Sequence, residues 1–309
     1  MRTPSTPDRR ADRLAVLQLA LITWAQAIGV GLTRDQILHR QSSGRWIRLA
    51  PGVYRVAGAP VTWQQQILAA CLAGGQATVA SHLSAAALWG LAEPPARPHV
   101  TRPREVSSRS RLATVHRSRL ADRDFTRVGP VPVTRVERTL VDCAVLLPRS
   151  ALEDLVDEAV VRGLATPDGI GAANARAGRA PGRAGSRALV DALSVWAPGI
   201  RPDSTAEMRL LRQIREWGMP APTPQFEVKD TTGRVLAHLD LAWPVARVGL
   251  EYDSDRWHAP RRWDHDEARH AGVERLGWRI RHVDTTDLRA GRDDLRRMLT
   301  TLLASTEAA

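Results

Sequence analysis

Lysine is almost absent from this sequence, with Lys229 the only one among 309 residues. Any chemistry that needs an ammonium group therefore has one candidate. Contacts to phosphate fall instead to arginine, whose planar fork matches phosphates and guanines. Cysteine is nearly as scarce. Cys71 and Cys143 both lie in apolar segments, which fits reduced, buried thiols and excludes a zinc site built on cysteine. No segment reads as a membrane span. Leu14–Leu32 carries no charge and follows Arg9, Arg10 and Arg13, the outline of a signal or anchor. Gln18, Thr23, Gln26, Gly29 and Gly31 interrupt it, however, and Asp8 and Asp12 enter its basic flank. The expectation is a soluble helix pair in a cytoplasmic protein with no membrane partner. There is no internal repeat and no phosphate-cradling glycine loop.

What the chain has is positive charge and room. The formal charge is +11, from 44 basic and 33 acidic residues, and the length allows two or three domains with real cores. An arginine excess hints at nucleic acid, although GC-rich coding raises arginine and alanine together.

Leu14, Leu17 and Leu21 recur at helical spacing, so residues 8–20 are expected to form one helix and Ile22–Ile28 a second, stopped by Gly29-Val30-Gly31. Thr33 can cap a third, Arg34–Gln41, ending near Ser42-Ser43-Gly44. Two short helices around a glycine turn make a helix-turn-helix, with Arg34, Gln36, His39 and Arg40 as outward residues of the recognition helix. Pro51-Gly52 then signals a type II turn between Arg45–Leu49 and Tyr54–Val56, a hairpin wing lined by Arg45, Arg48 and Arg55. On pattern alone, an ordinary helical domain with solvated arginines stands beside this reading. The run Trp24–Leu91, with GVYRV in the wing and SHLSAAALWGL after it, resembles the winged-helix antitoxins of type IV (abortive-infection) toxin–antitoxin systems. That resemblance implies binding to operator DNA and a cognate toxin as partner.

Further along, residues 64–73 and 81–90 read as helices, and His99–Arg102, Leu112–Ser118 and Pro130–Thr134 as strands. Helices follow at Val136–Leu147 and Ala151–Leu164, with Asp142 a structural helix residue. Gly178–Arg187 (GRAPGRAGSR) is a basic hinge candidate. Leu295, Met298, Leu299 and Leu302 mark a closing helix.

Leu236–His258 (LAHLDLAWPVARVGLEYDSDRWH) puts charge where a fold disfavours it. Two apolar strands, Val235–Trp243 and Arg247–Asp253, turn at Pro244–Ala246 and carry Asp240, Glu251 and Asp253. Folding about Val245 sets Asp240 opposite Glu251, and period-two alternation puts Glu251 and Asp253 on one face. Opposed carboxylates destabilise a half-buried sheet unless something positive lies between them. A divalent cation would serve; so would arginine partners.

The segment around residues 203–303 resembles the very-short-patch-repair-like endonucleases of the PD-(D/E)XK superfamily. Glu207 in an amphipathic helix, the Asp240 strand, the Glu251-Tyr252-Asp253 strand, His258, Asp266 with Arg269, and the Gly277-Trp278 strand carry the match. The resemblance implies Mg2+ (or Mn2+) held by Asp240 and Glu251, with DNA as substrate. Glu207, Asp253 and His258 join Asp240 and Glu251 as catalytic candidates. Arg261, Arg262 and Arg269 are candidate phosphate contacts. Each role has an alternative. Ser204-x-x-Glu207 is itself a capping-box sequence, His258 is either a general base or a surface histidine, and Asp253 is either a third ligand or a sign of altered chemistry. The superfamily's lysine, two residues after the third-motif acid, is replaced by Asp253. Lys229 lies about six residues along from Asp240, roughly 20 Å at strand rise, too far to substitute.

The expected fold is therefore α+β and multidomain. Residues 1–95 form a winged helix-turn-helix with a helical extension, and 96–177 a mixed α/β middle region. A basic hinge and helix occupy 178–202, before a PD-(D/E)XK nuclease-like αβββαβ domain at 203–309. A metal-dependent DNA endonuclease is one functional expectation, and a non-catalytic DNA-binding antitoxin or transcriptional regulator with a degenerate nuclease fold is the other.

Overall fold

A computed structural model describes residues 6–103, 110–177, 185–196, 204–252, 272–284, 287 and 293–304. Among the described residues the protein is mixed α+β with three sheets. It divides into two compact units, residues 1–155 with 164–190, and residues 156–163 with 191–309. Among the described residues no helix is long and apolar enough to cross a membrane.

The first unit opens with helix α1 (Pro7–Leu17), strand β1 (Leu21–Thr23), and helices α2 (Trp24–Gly29) and α3 (Arg34–Ser42). Ile22 and Thr23 are thus extended, where helix was expected. Leu19 and Ala20 take positive φ (55° and 61°), ending α1, and Leu21 and Ile22 become fully buried by pairing with β3 (Val53–Val56). Thr23 and Thr33 each open the next helix with a reciprocal capping box, to Gln26 and Gln36. Strand β2 (Trp46–Ala50) meets β3 through the Pro51-Gly52 turn, where Gly52 has φ +71°, as a type II turn requires at its third position. The sheet order is β1-β3-β2, so the hairpin is enlarged by a third strand.

Helix α4 (Trp63–Gly74), strand β4 (Val79–Ala80), helix α5 (His82–Leu88), and strands β5 (His99–Arg102), β6 (Thr114–Arg117), β7 (Phe125–Val128) and β8 (Val131–Thr134) follow. Five strands form a mixed sheet of order β6-β5-β4-β8-β7. Leu21 and Val53 of the small sheet share one apolar cluster with Ile67 and Leu68 of α4 and with Val100 and Val133 of the larger sheet. Residues on either side of position 95 therefore belong to one core. Helices α6 (Val136–Cys143), α7 (Arg149–Val161), α8 (Pro167–Ala177) and α9 (Gly185–Leu193) come next. Asp142 is buried and accepts from Arg138 Nε at 2.9 Å, which gives it a structural partner one helical turn away. Of the hinge candidate, residues 178–184 lie outside the described residues, and α9 already begins at Gly185.

In the second unit, helix α10 (Thr205–Glu216) precedes strands β9 (Thr223–Lys229), β10 (Val235–Trp243), β11 (Val248–Tyr252) and β12 (Arg279–Val283), and a closing helix, Asp293–Ala304. The sheet order is β12-β11-β10-β9, antiparallel except for the β11–β12 pair. Met208, Leu210, Leu211 and Ile214 of α10 pack with Leu241, Trp243, Val248 and Leu250 of the sheet and Leu295 and Leu299 of the closing helix. That packing is what the amphipathic spacing of both helices dictates. A buried ion pair anchors α10 further. Asp157, fully buried, accepts from Arg212 Nη2 (2.6 Å) and Nε (3.0 Å) and from Trp196 Nε1 (3.0 Å), while Arg212 also donates to the Ala192 carbonyl (2.8 Å).

Candidate functional site

Two acids from two elements, Glu207 and Asp240, meet in the second unit at one glutamine side chain. Helix α10 starts at its N-cap Ser204, whose Oγ accepts from Glu207 N–H (3.2 Å) and donates to Glu207 Oε1 (2.9 Å). The capping box expected from Ser204-x-x-Glu207 is only half formed, because the carboxylate takes the hydroxyl proton and not the N-cap amide. Glu207 is 4% exposed, and its second oxygen, Oε2, accepts from Gln225 Nε2 at 2.9 Å. The same nitrogen lies 3.4 Å from Asp240 Oδ1. Across the sheet the paired ladder ends at Leu241 with Leu250, and Asp240 and Glu251 are the next residue along each strand. Tyr252 N–H donates to Asp240 Oδ2 at 2.7 Å, which fixes the carboxylate beside β11. Glu251 also pairs in register with His282 on β12.

Gln225 and His282 escaped the sequence reading. A plain count back from the Thr231-Thr232-Gly233 turn, with Lys229 paired to Val235, puts Pro224 opposite Asp240; the register shift between Val235 and Ala237 brings Gln225 there instead, and parallel pairing of the RIRHV strand with β11 brings His282 beside Glu251. Asp253, His258, Arg261, Arg262 and Arg269 lie outside the described residues. Lys229 pairs with Val235, five positions from Asp240, and its Nζ sits 2.8 Å from Glu227 Oε2. It is not part of this cluster, as the strand arithmetic required. Lys229 also holds the Glu227 carboxyl below the usual carboxylate range.

Among the described residues, no group of three or more histidines, cysteines, aspartates or glutamates is arranged to hold a metal ion. Magnesium asks for less. It keeps several waters and is held by one or two carboxylates together with substrate phosphates. Glu207 and Asp240, both within hydrogen-bond reach of one amide nitrogen and both oxygen donors, fit that smaller demand.

In the first unit the arginine candidates separate. Arg34, Gln36 and His39 on α3, and Arg45 and Arg48 beside or on β2, are exposed. Gln36 Oε1 is occupied as a cap, accepting from Thr33 N–H at 2.9 Å. Arg40 is corrected by the structure. It is 7% exposed, donates to the Gln36 carbonyl (2.7 Å), pairs with Asp8 and lies over the Trp46 ring, 5.6 Å from its centroid. Helical spacing turns position 40 toward Ile37 and the core, so it ties α1, α3 and β2 together. Arg55 is half-buried and donates to the Ala59 carbonyl at 3.1 Å, bracing the exit from β3.

No protein-family model matches the chain. Two proteins of Mycobacterium tuberculosis are similar to part of it: uncharacterized protein MT2308 of strain CDC 1551/Oshkosh and uncharacterized protein Rv2248 of strain H37Rv. Each is 33% identical over 108 residues, 34% of this chain and 39% of the relative. The chain thus spans about two-fifths of the length of these relatives.

Two further features of the first unit lie apart from the predicted residues. A cavity of about 830 Å³ opens along the five-stranded sheet, with Phe125, Arg119 and Arg127 in its wall, but none of the sequence-predicted site residues lines it. The acids of the second unit are defined instead by their hydrogen bonds. Beside β5 and β6, three imidazoles stack. His82 and His116 are 3.6 Å apart at their centroids, and His99 Nδ1 is 3.0 Å from His116 Nε2. His82 takes φ +52°, its Nδ1 lies 2.9 Å from Ser81 Oγ, and Thr101 Oγ1 donates to the same hydroxyl at 2.8 Å. Burial, reinforced by the neighbouring His99, pushes His116 down to about 4, and burial lowers His99 as well. The two cysteines are free and buried, and burial raises the Cys71 thiol to about 12.

Proposed function

We propose that the protein is a DNA endonuclease dependent on Mg2+ or Mn2+, with a winged helix-turn-helix at its N-terminal end and a PD-(D/E)XK-like nuclease site at its C-terminal end. The observation that carries the reading is the convergence of Glu207 and Asp240 on one Gln225 amide nitrogen. Bringing a helix acid and a strand acid together in this way costs repulsion, and a cation site gives that cost a use. Asp240 and Glu251 would hold the ion with Glu207 beside it; when bound, it would lower the pKa of a water and neutralise charge on the scissile phosphate. The Tyr252 amide keeps Asp240 turned toward β11, and Ser204 with Gln225 keeps Glu207 turned toward Asp240. His258 and His282 are the candidate proton acceptors. The exposed Arg34, Gln36 and His39 would meet base edges, and Arg45 and Arg48 phosphates.

A second reading, a non-catalytic DNA-binding regulator of antitoxin type, is favoured by one observation. The lysine usual in the third motif is missing, and Lys229 is committed to Glu227. Incubation of the full chain with supercoiled plasmid separates the two readings. Nicked or linear product in Mg2+ or Mn2+ but not in chelator supports the enzyme, whereas DNA retention with no metal-dependent product leaves the regulator.

A further inference from the structure

We propose that Gln225 is a positioning residue that holds Glu207 and Asp240 together in the metal-free protein, screening with its amide hydrogens the repulsion that a bound cation screens with its charge. The inference rests on the cation site proposed above and concerns how that site survives empty. Ionised carboxylates only accept hydrogen bonds, so the end of the Gln225 side chain that meets both must be its NH2. Nε2 lies 2.9 Å from Glu207 Oε2 and 3.4 Å from Asp240 Oδ1, and one nitrogen has two hydrogens to give. In a half-buried setting, where charges interact more strongly than in water, that shared donor offsets part of the repulsion between the acids.

The backbone points the same way. The β9–β10 ladder pairs Phe226 with Leu239 and Pro224 with Leu241, but between them Gln225, opposite Asp240, leaves the ladder with φ +50°. A residue with a Cβ is strained in that region, and such strain persists only where surrounding contacts over-determine it. The bridge to two acids is such a contact. Were the bend alone required, glycine would adopt it without strain.

That contrast supplies the test. Full-length wild type, Gln225→Gly and Gln225→Glu are melted in chelator and in millimolar MgCl2 or MnCl2. Gln225→Gly relieves the backbone and removes the amide. In chelator it is expected to unfold about 2–6 °C below wild type, and cation is expected to restore most of the loss, so that its cation-induced rise exceeds that of wild type. Gln225→Glu, which adds a third acid, is expected to show a lower midpoint in chelator and a larger rise with cation. A Gln225→Gly protein as stable as wild type in chelator, or one whose loss cation does not restore, overturns the inference while leaving the cation site standing, provided wild type itself responds. If wild type responds to neither ion, the cation site falls and this inference falls with it.

Discussion

Acidification offers a direct probe of the stacked histidines. His116 is lowered from 6.5 to about 4, first by burial and then by His99 at 3.0 Å, and His99 is itself lowered by burial. A histidine whose pKa falls on folding is held neutral in the native state. Its contribution is therefore fully present above the unfolded value and is lost as pH falls from about 6.5 through about 4. Unscreened, the His116 shift is worth roughly 3 kcal/mol; solvent screening at a half-buried ring reduces that to about 1–2 kcal/mol. For a unit of this size the corresponding fall in Tm is about 3–6 °C. His116→Gln removes the titration while keeping a polar planar group beside His99. Thermal unfolding of both proteins, followed in small pH steps across this window, is the assay. The variant should start less stable at neutral pH and converge on wild type as the window is crossed. Parallel curves, or a wild type that gains on the variant during acidification, would refute the reasoning.

Two further outcomes concern side chains now given structural work. Asp157→Asn leaves the buried Arg212 guanidinium without its counter-charge, which should cost about 3–5 kcal/mol in denaturant unfolding of the second unit. Arg40→Ala should lower stability by about 1–3 kcal/mol with little change in sequence discrimination, whereas exposed Arg34→Ala should leave Tm unchanged and narrow the difference in binding between DNA sequences. Calorimetry and competition binding on the same preparations check the pair, and a reversal of the two effects would return Arg40 to the binding surface.

The legible parts of this protein were those written in short-range pattern. The Thr33 cap, the Pro51-Gly52 turn and the apolar spacing of the closing helix each name a local conformation, and each occurs where the pattern puts it. The Val235–Trp243 and Val248–Tyr252 hairpin followed from its apolar runs and the turn between them. What pattern missed was set by tertiary partners. Ile22 and Thr23 read as the start of a helix running to Ile28, yet β3 captures them in a strand. Strand β4 is only two residues long, both buried, so no alternation marks it. Arg40 reads as surface because arginine usually is, and only the packing of Asp8 and Trp46 around it says otherwise. Gln225 stayed hidden because a polar residue on a strand announces nothing until the register sets it against an acid.

The cation site at the centre of the functional reading is tested most directly by Asp240→Asn, which keeps the side chain's shape and removes one charge. Wild type and variant are compared for plasmid cleavage in Mg2+ or Mn2+ and for thermal unfolding with and without the ion. The expected result is metal-dependent cleavage by wild type, its loss by orders of magnitude in the variant, and a smaller cation-induced rise in Tm for the variant, since a ligand that binds the native state stabilises it. The contradictory result is a wild type that neither cleaves nor responds to the ion, with a variant destabilised equally in its presence and absence. Asp240 would then be an ordinary structural acid, and only the DNA-binding regulator would remain.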